Sequence, residues 1–192
     1  MTNSKTHQKK ILFYYYVMKL KTSGDICEIV PSFLYLSSNQ SSKNFESLQH
    51  YKITHIVNVA GKQHVPSQFI YLRSHFPDSS DAPFLKHLPA ILEFIESTEK
   101  LGGKVLVQCS GGVSRSPAVV AAWLIKKNGM QVDEAIEFIK ERRPGININK
   151  GFLEQLNIFR QTTLDISKFK EVDDNNEEDA EYLPYILKAI KQ

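Results

Sequence analysis

The stretch VLVQCSGGVSRSPAVVAAWLIKK, residues 105–127, decides how the chain folds. Val105–Val107, flanked by Lys104 and Gln108, is a short continuous apolar run, as in strands buried on both faces of a helix-covered sheet. Pro117–Lys127 is apolar until its two closing lysines, and Asn128 with Gly129 follows as a C-terminal cap, so it predicts a buried helix. Residues 109–116 between them are small or polar, Val113 and Arg115 apart. A buried strand that enters a tight loop and leaves by a buried helix points to the α/β class.

The rest of the chain repeats this alternation. Ile26–Val30, stopped by Pro31-Ser32, and Phe33–Leu36 predict two strands at a sheet edge. Ser37–Ser42 predicts a polar turn in which Ser41 or Ser42 caps a short helix to about His50. Ile53–Val59 and Phe69–Leu72 predict two more strands. Pro77, Asp78, Ser79, Ser80, Asp81 and Pro83 crowd into Ser74–Pro83, which is turn chemistry and predicts an exposed loop. Leu88, Ile91, Leu92 and Ile95 recur at helical spacing and predict a helix to about Lys100, with Pro89 in its first turn. Further helices are expected over Val132–Arg142, broken by Pro144-Gly145, and over Lys150–Leu164.

With 192 residues, 42% of them hydrophobic and 23% charged, the composition suits one packed domain with tails and leaves no room for a second large catalytic unit. The net charge of +3 is unevenly spread: residues 1–170 carry 22 Lys+Arg against 14 Asp+Glu, and residues 171–192 carry 2 against 7. A basic surplus of that size suits single phosphates or acidic peptides better than a nucleic-acid backbone, so no nucleic-acid partner is expected. Two cysteines, Cys27 and Cys109, cannot make the disulfide framework of a secreted domain, and the six histidines are scattered. A reducing, cytoplasmic or nuclear setting is expected.

No run approaches the ~18–20 apolar residues of a membrane span. Ile11–Met18 has the length of a signal-peptide core, but Lys19 and Lys21 follow it and no small-residue cleavage site does; a strand, a flexible extension or a docking peptide is the expected reading. Glu171–Glu181 reads as an acidic linker and Tyr182–Ile190 as a short terminal helix.

The loop after residues 105–108 carries the chemistry. Gly111 and Gly112 allow it to curl so that successive N–H groups of Ser110, Gly111, Gly112, Val113 and Ser114 point inward, an anion nest closed by the positive end of the following helix. Arg115, six residues after Cys109, returns to the same concavity and offers a planar fork for two phosphate oxygens. At the floor of such a nest Cys109 is favoured as thiolate over thiol, a nucleophile able to attack phosphorus. A lone cysteine is ordinarily a small buried hydrophobe, and Cys27 keeps that reading. Trp123 reads as core.

Cys-x-x-Gly-x-x-Arg-Ser, occupied by Cys109, Gly112, Arg115 and Ser116, resembles the signature of the cysteine-dependent protein phosphatases, and of their small dual-specificity branch in particular. GDICEIVPSFLYLSS, ITHIVNVA and ERRPGININKGFLEQL are similar to further segments of that family in the same order. The resemblance implies a catalytic domain over residues 25–165, an N-terminal extension over 1–24 and an acidic linker with a short segment over 166–192. It implies a central mixed, mostly parallel sheet of about five strands flanked by helices, phosphoprotein substrates, and no metal or cofactor. It makes Cys109 the nucleophile, Arg115 the phosphate and transition-state ligand, Ser116 the hydroxyl that helps expel the sulfur, and Asn149 a brace of the loop. The family's general acid lies 30-odd residues before the cysteine; Asp78, 31 residues before it, fits, with Asp81 as the neighbour able to replace it.

Two departures bear on activity. The family usually has histidine before the cysteine, supporting loop and thiolate, and this chain has Gln108; Ile148 stands for a usual proline. Gln108 keeps open a weak or inactive phosphoprotein-binding form. A hydrolase of RNA 5′ phosphates or phosphoinositides also stays open, on the basic surplus. No lysine occurs within Ser110–Ser114, where the lipid-directed relatives typically carry basic residues, and no tyrosine-bearing loop deepens the pocket. Phosphotyrosine and phosphoserine/phosphothreonine on proteins are therefore the expected substrates. The oligomeric state is not legible.

Overall fold

A computed structural model describes residues 26–61 and 67–170, with side chains to residue 163. The readings made for residues 1–24, for Glu171–Glu181 and for Tyr182–Ile190 lie outside the described residues.

The strands are β1 (Cys27–Val30), β2 (Leu34–Ser38), β3 (His55–Asn58), β4 (Ile70–Arg73) and β5 (Val105–Cys109). They form one sheet in the order β1-β2-β5-β3-β4, in which β1 is antiparallel to β2 and every other pairing is parallel. The expected mixed, mostly parallel five-stranded sheet is thus present. Its central strand, β5, is buried along its whole length, as its continuous apolar run requires.

Among the described residues the α-helices are α1 (Phe45–His50), α2 (Phe84–Lys100), α3 (Arg115–Asn128), α4 (Val132–Lys140) and α5 (Lys150–Lys170). Strand alternation splits the interior in two. Leu34, Leu36, Val57, Val105, Val107 and Cys109 join the larger core with residues of α2, α3, α4 and α5. Tyr35, Ile56 and Leu106 face the smaller core with Leu48 of α1. Helix α3 is buried without interruption from Arg115 to Ile125 and ends on Gly129, whose φ of 66° and N–H to the Ile125 carbonyl (2.9 Å) make it the expected left-handed cap. Among the described residues no helix is long and apolar enough to cross a membrane.

Three local expectations are corrected. Helix α1 is capped by Asn44, whose side chain accepts from the Ser47 N–H, and not by Ser41 or Ser42. Those serines form a 3₁₀ turn, and the Ser42 hydroxyl is engaged by Asn39 and Gln108. Helix α2 begins at Phe84, so Pro89 lies in its second turn and not its first. The earlier start follows from Phe84 packing against Phe76 and Phe152, and from Gln155, whose Oε1 accepts the Leu85 N–H at 3.1 Å in place of a local cap. Helix α5 runs on to Lys170, past the expected Leu164.

Candidate active site

Strand β5 delivers Cys109 at its C-terminal end, where the parallel ladder stops and the loop turns into α3. This is where open α/β sheets present ligand sites. Cys109 is 1% exposed, while Ser110, Gly111 and Val113 are exposed around it. Two donors converge on its sulfur: the Gly112 N–H at 3.2 Å and the Ser116 Oγ at 3.1 Å. Ser116 is itself fully buried, so its hydroxyl is held on the sulfur and away from water.

Of the two loop glycines, Gly112 alone has a positive φ, 66°. A Cβ there would also come within 2.7 Å of the Arg143 Nη2 and 2.9 Å of the Ser37 carbonyl. Gly112 is therefore required twice over, by conformation and by space. Gly111 meets only ordinary contacts, so the loop's curl depends on one glycine where two were expected.

Arg115 enters from the first turn of α3 and is 9% exposed. Its Nη1 donates to the carbonyls of Phe76 (3.2 Å) and Val59 (3.4 Å), and its Nη2 to the Ser110 Oγ (2.8 Å). Backbone from the loops after β3 and β4 thus fixes the plane of the guanidinium beside the cup. Asp78 lies against it, with Oδ2 3.4 Å from the Arg115 Nε. Asp78 Oδ1 accepts from the Ser114 Oγ at 2.7 Å and from the Asn149 Nδ2 at 2.9 Å. Asp81 points elsewhere: it is exposed, and hydrogen bonds from Ser79 and from its own backbone hold its carboxyl below the usual carboxylate range. The structure brings Asp78 to the cup and leaves Asp81 outside it.

Asn149 meets the cup differently from the expectation of a loop brace. Its backbone N–H reaches the Ser114 Oγ at 3.2 Å, but its amide goes to Asp78, and its Oδ1 caps α5 through the Phe152 N–H at 3.0 Å. Gln108 is fully buried, and by alternation its side chain lies on the opposite face of the sheet from the Cys109 sulfur. Its Oε1 accepts from Ser42, which also bonds the Asn39 carbonyl, and the Asn39 N–H in turn donates to the Ser110 carbonyl at 3.2 Å. Gln108 thus reaches the loop through the turn after β2, and on the side away from the sulfur.

Arg143 was missed from the sequence. Its Nε donates to the Gly112 carbonyl at 2.8 Å and its Nη2 to the Gly111 carbonyl at 3.3 Å. When N–H groups turn into a cup their carbonyls turn out, and a cation behind the loop satisfies them. Nothing in ERRPG separates this arginine from its neighbour Arg142, which instead lies over the Phe138 ring at 3.8 Å. The 36-residue link from Ser114 to Asp78 carried no local signal either.

The family model described as dual specificity phosphatase, catalytic domain, matches residues 34–162. A probable rhodanese domain-containing dual specificity protein phosphatase of Dictyostelium discoideum is 38% identical over 136 residues, 70% of this chain and 29% of that protein. Dual specificity protein phosphatase 1 of Arabidopsis thaliana is 32% identical over 142 residues, 73% of this chain and 72% of that one. Among solved structures, DUSP15 superposes with a TM-score of 0.71 at 29% identity, covering 80% of this chain and all of the other.

Proposed function

Because this chain belongs to the dual specificity phosphatase family, we propose that it hydrolyses phosphotyrosine and phosphoserine/phosphothreonine on proteins in two steps through a cysteinyl-phosphate. The observation that carries the reading is the convergence of Gly112 N–H and Ser116 Oγ on the Cys109 sulfur, with Arg115 and Asp78 paired at the rim.

In the first step the sulfur attacks phosphorus along the floor of the cup. The loop N–H groups and the Arg115 fork hold the phosphoryl oxygens, a preorganised charge complement. The P–O bond to the leaving group breaks, and Asp78 gives its proton to that oxygen. In the second step a water attacks phosphorus, Asp78 takes the water's proton, and the P–S bond breaks. The Ser116 hydroxyl, already 3.1 Å from the sulfur, stabilises the departing thiolate.

Protein substrates fit a loop whose exposed members, Ser110, Gly111 and Val113, carry no charge for additional phosphates. The setting expected for such substrates is cytoplasmic or nuclear.

The test is steady-state and rapid-quench kinetics on an aryl phosphate and on phosphotyrosine and phosphothreonine peptides, beside an inositol-lipid and a 5′-triphosphate RNA. The expected result is turnover of the peptides, abolished by Cys109→Ser, and accumulation of a phosphorylated enzyme in Ser116→Ala. Turnover that survives Cys109→Ser would overturn the mechanism. A preference for lipid or RNA would overturn the substrate class, and peptide binding without turnover would leave a phosphoprotein-binding module.

A further inference from the structure

Gly151 sits in the first turn of α5, although glycine is a poorer helix former than alanine. It is buried, and its φ is not among the positive ones, so backbone conformation does not call for glycine there. Space does. A Cβ on Gly151 would lie 2.6 Å from the Cα and carbonyl carbon of Ser80, and closer still to the Ser80 oxygen. Ser80 is two residues after Asp78, on the loop that carries the carboxylate.

The same face of α5 holds that loop at three other places. Asn149, its cap, donates to the Asp78 Oδ1. Phe152 packs against Phe76 on one side of the loop and Phe84 on the other, with ring centroids 5.7 and 5.1 Å away. Gln155 donates to the Ala82 carbonyl at 3.0 Å and accepts the Leu85 N–H. Residues 76–85 therefore rest on α5 from end to end, and at Gly151 the Ser80 backbone leaves no room for a side chain.

We propose that Gly151 is a positioning residue for the reaction: its missing side chain sets how deeply the Asp78 loop seats on α5, and so whether Asp78 reaches the leaving oxygen. This rests on the assignment of Asp78 as general acid. A general acid contributes roughly 10²–10⁴ in rate, and its share grows as the leaving group becomes more basic. Gly151→Ala lifts the loop at Ser80, while the Cys109 sulfur keeps its Gly112 and Ser116 donors and the Arg115 guanidinium keeps its contacts to Val59 and Ser110.

The test measures kcat for a series of phosphate esters of rising leaving-group pKa in wild type, Gly151→Ala, Asp78→Asn and the double variant, with Cys109 alkylation by iodoacetate as a check on the cup. Gly151→Ala is expected to lose roughly ten- to a hundredfold on the most basic leaving groups and about threefold or less on the most acidic, with alkylation unchanged. In the Asp78→Asn background it is expected to cost nothing further. A loss of equal size on every ester, or an additive loss in the double variant, overturns the proposal while Asp78 stands. If Asp78→Asn is itself without effect, the acid assignment fails and the proposal with it. Should Gly151→Ala not fold, Gln155→Ala carries the same comparison.

Discussion

The Ser114 hydroxyl donates to the Asp78 carboxylate at 2.7 Å, tying the phosphate-binding loop directly to the loop that carries the acid. Ser114 also accepts the Asn149 N–H, so three segments meet on one oxygen. Hydrogen bonds to charged groups contribute about 1.5–3 kcal/mol. Ser114→Ala is expected to lower kcat by about ten- to a hundredfold with little change in KM, measured on a phosphopeptide. An unchanged kcat would mean that the link is not used in turnover.

Gly112 gives the sharpest test of the cup. Alanine there must adopt a left-handed φ and meet both Arg143 and the Ser37 carbonyl. The N–H that points at the sulfur would move. Loss of a single preorganised donor costs about 10²–10³ in rate, and a loss of that order is expected for Gly112→Ala; Gly111→Ala is expected to keep activity within about tenfold of wild type. Equal losses at the two glycines would contradict the assignment.

Gln108 bears on whether a neutral amide before the cysteine weakens the thiolate. Its side chain meets Ser42 across the sheet from the sulfur, so its role runs through the turn after β2. Ser42→Ala is expected to cost about 1 kcal/mol and to lower Tm by roughly 2–4 °C. Gln108→His is expected to move Tm more than kcat, read by thermal unfolding and by a kinetic pH profile. A large gain in kcat with Tm unchanged would restore the electrostatic view.

Stability is expected to fall on mild acidification. Burial lowers the pKa of His55, and burial, followed by the charges of Lys86 and His75, lowers that of His87. Between the unfolded value of 6.5 and the lower folded values the unfolded chain binds more protons, so stability drops as pH falls through that window and is fully present above it. Thermal unfolding at pH 7 and pH 5 should show a loss of Tm that shrinks in His55→Gln. An identical loss in that variant would remove His55 from the account.

What the sequence made legible is what local pattern encodes. The β5 run, the buried α3 and the Gly129 cap follow from apolar periodicity and from one glycine's backbone freedom. The cup residues were legible because they are contiguous: Cys109, Gly112, Arg115 and Ser116 share one loop and one helical turn. Illegible were the features made by distant partners. Helix α2 starts where Gln155 supplies a hydrogen bond from 70 residues away, α1 is capped by Asn44 while Ser42 is drawn to Gln108, and Arg143 is set apart from Arg142 only by what it touches.

The placement of the nucleophile on β5 has a mechanical consequence. That strand is hydrogen-bonded to β2 and β3 on its two sides as far as Gln108, and to β2 through Cys109. Displacing Cys109 itself would mean unzipping the middle of the sheet, so the amides of residues 105–108 should be the last to exchange with deuterated solvent, at the rate of whole-molecule opening.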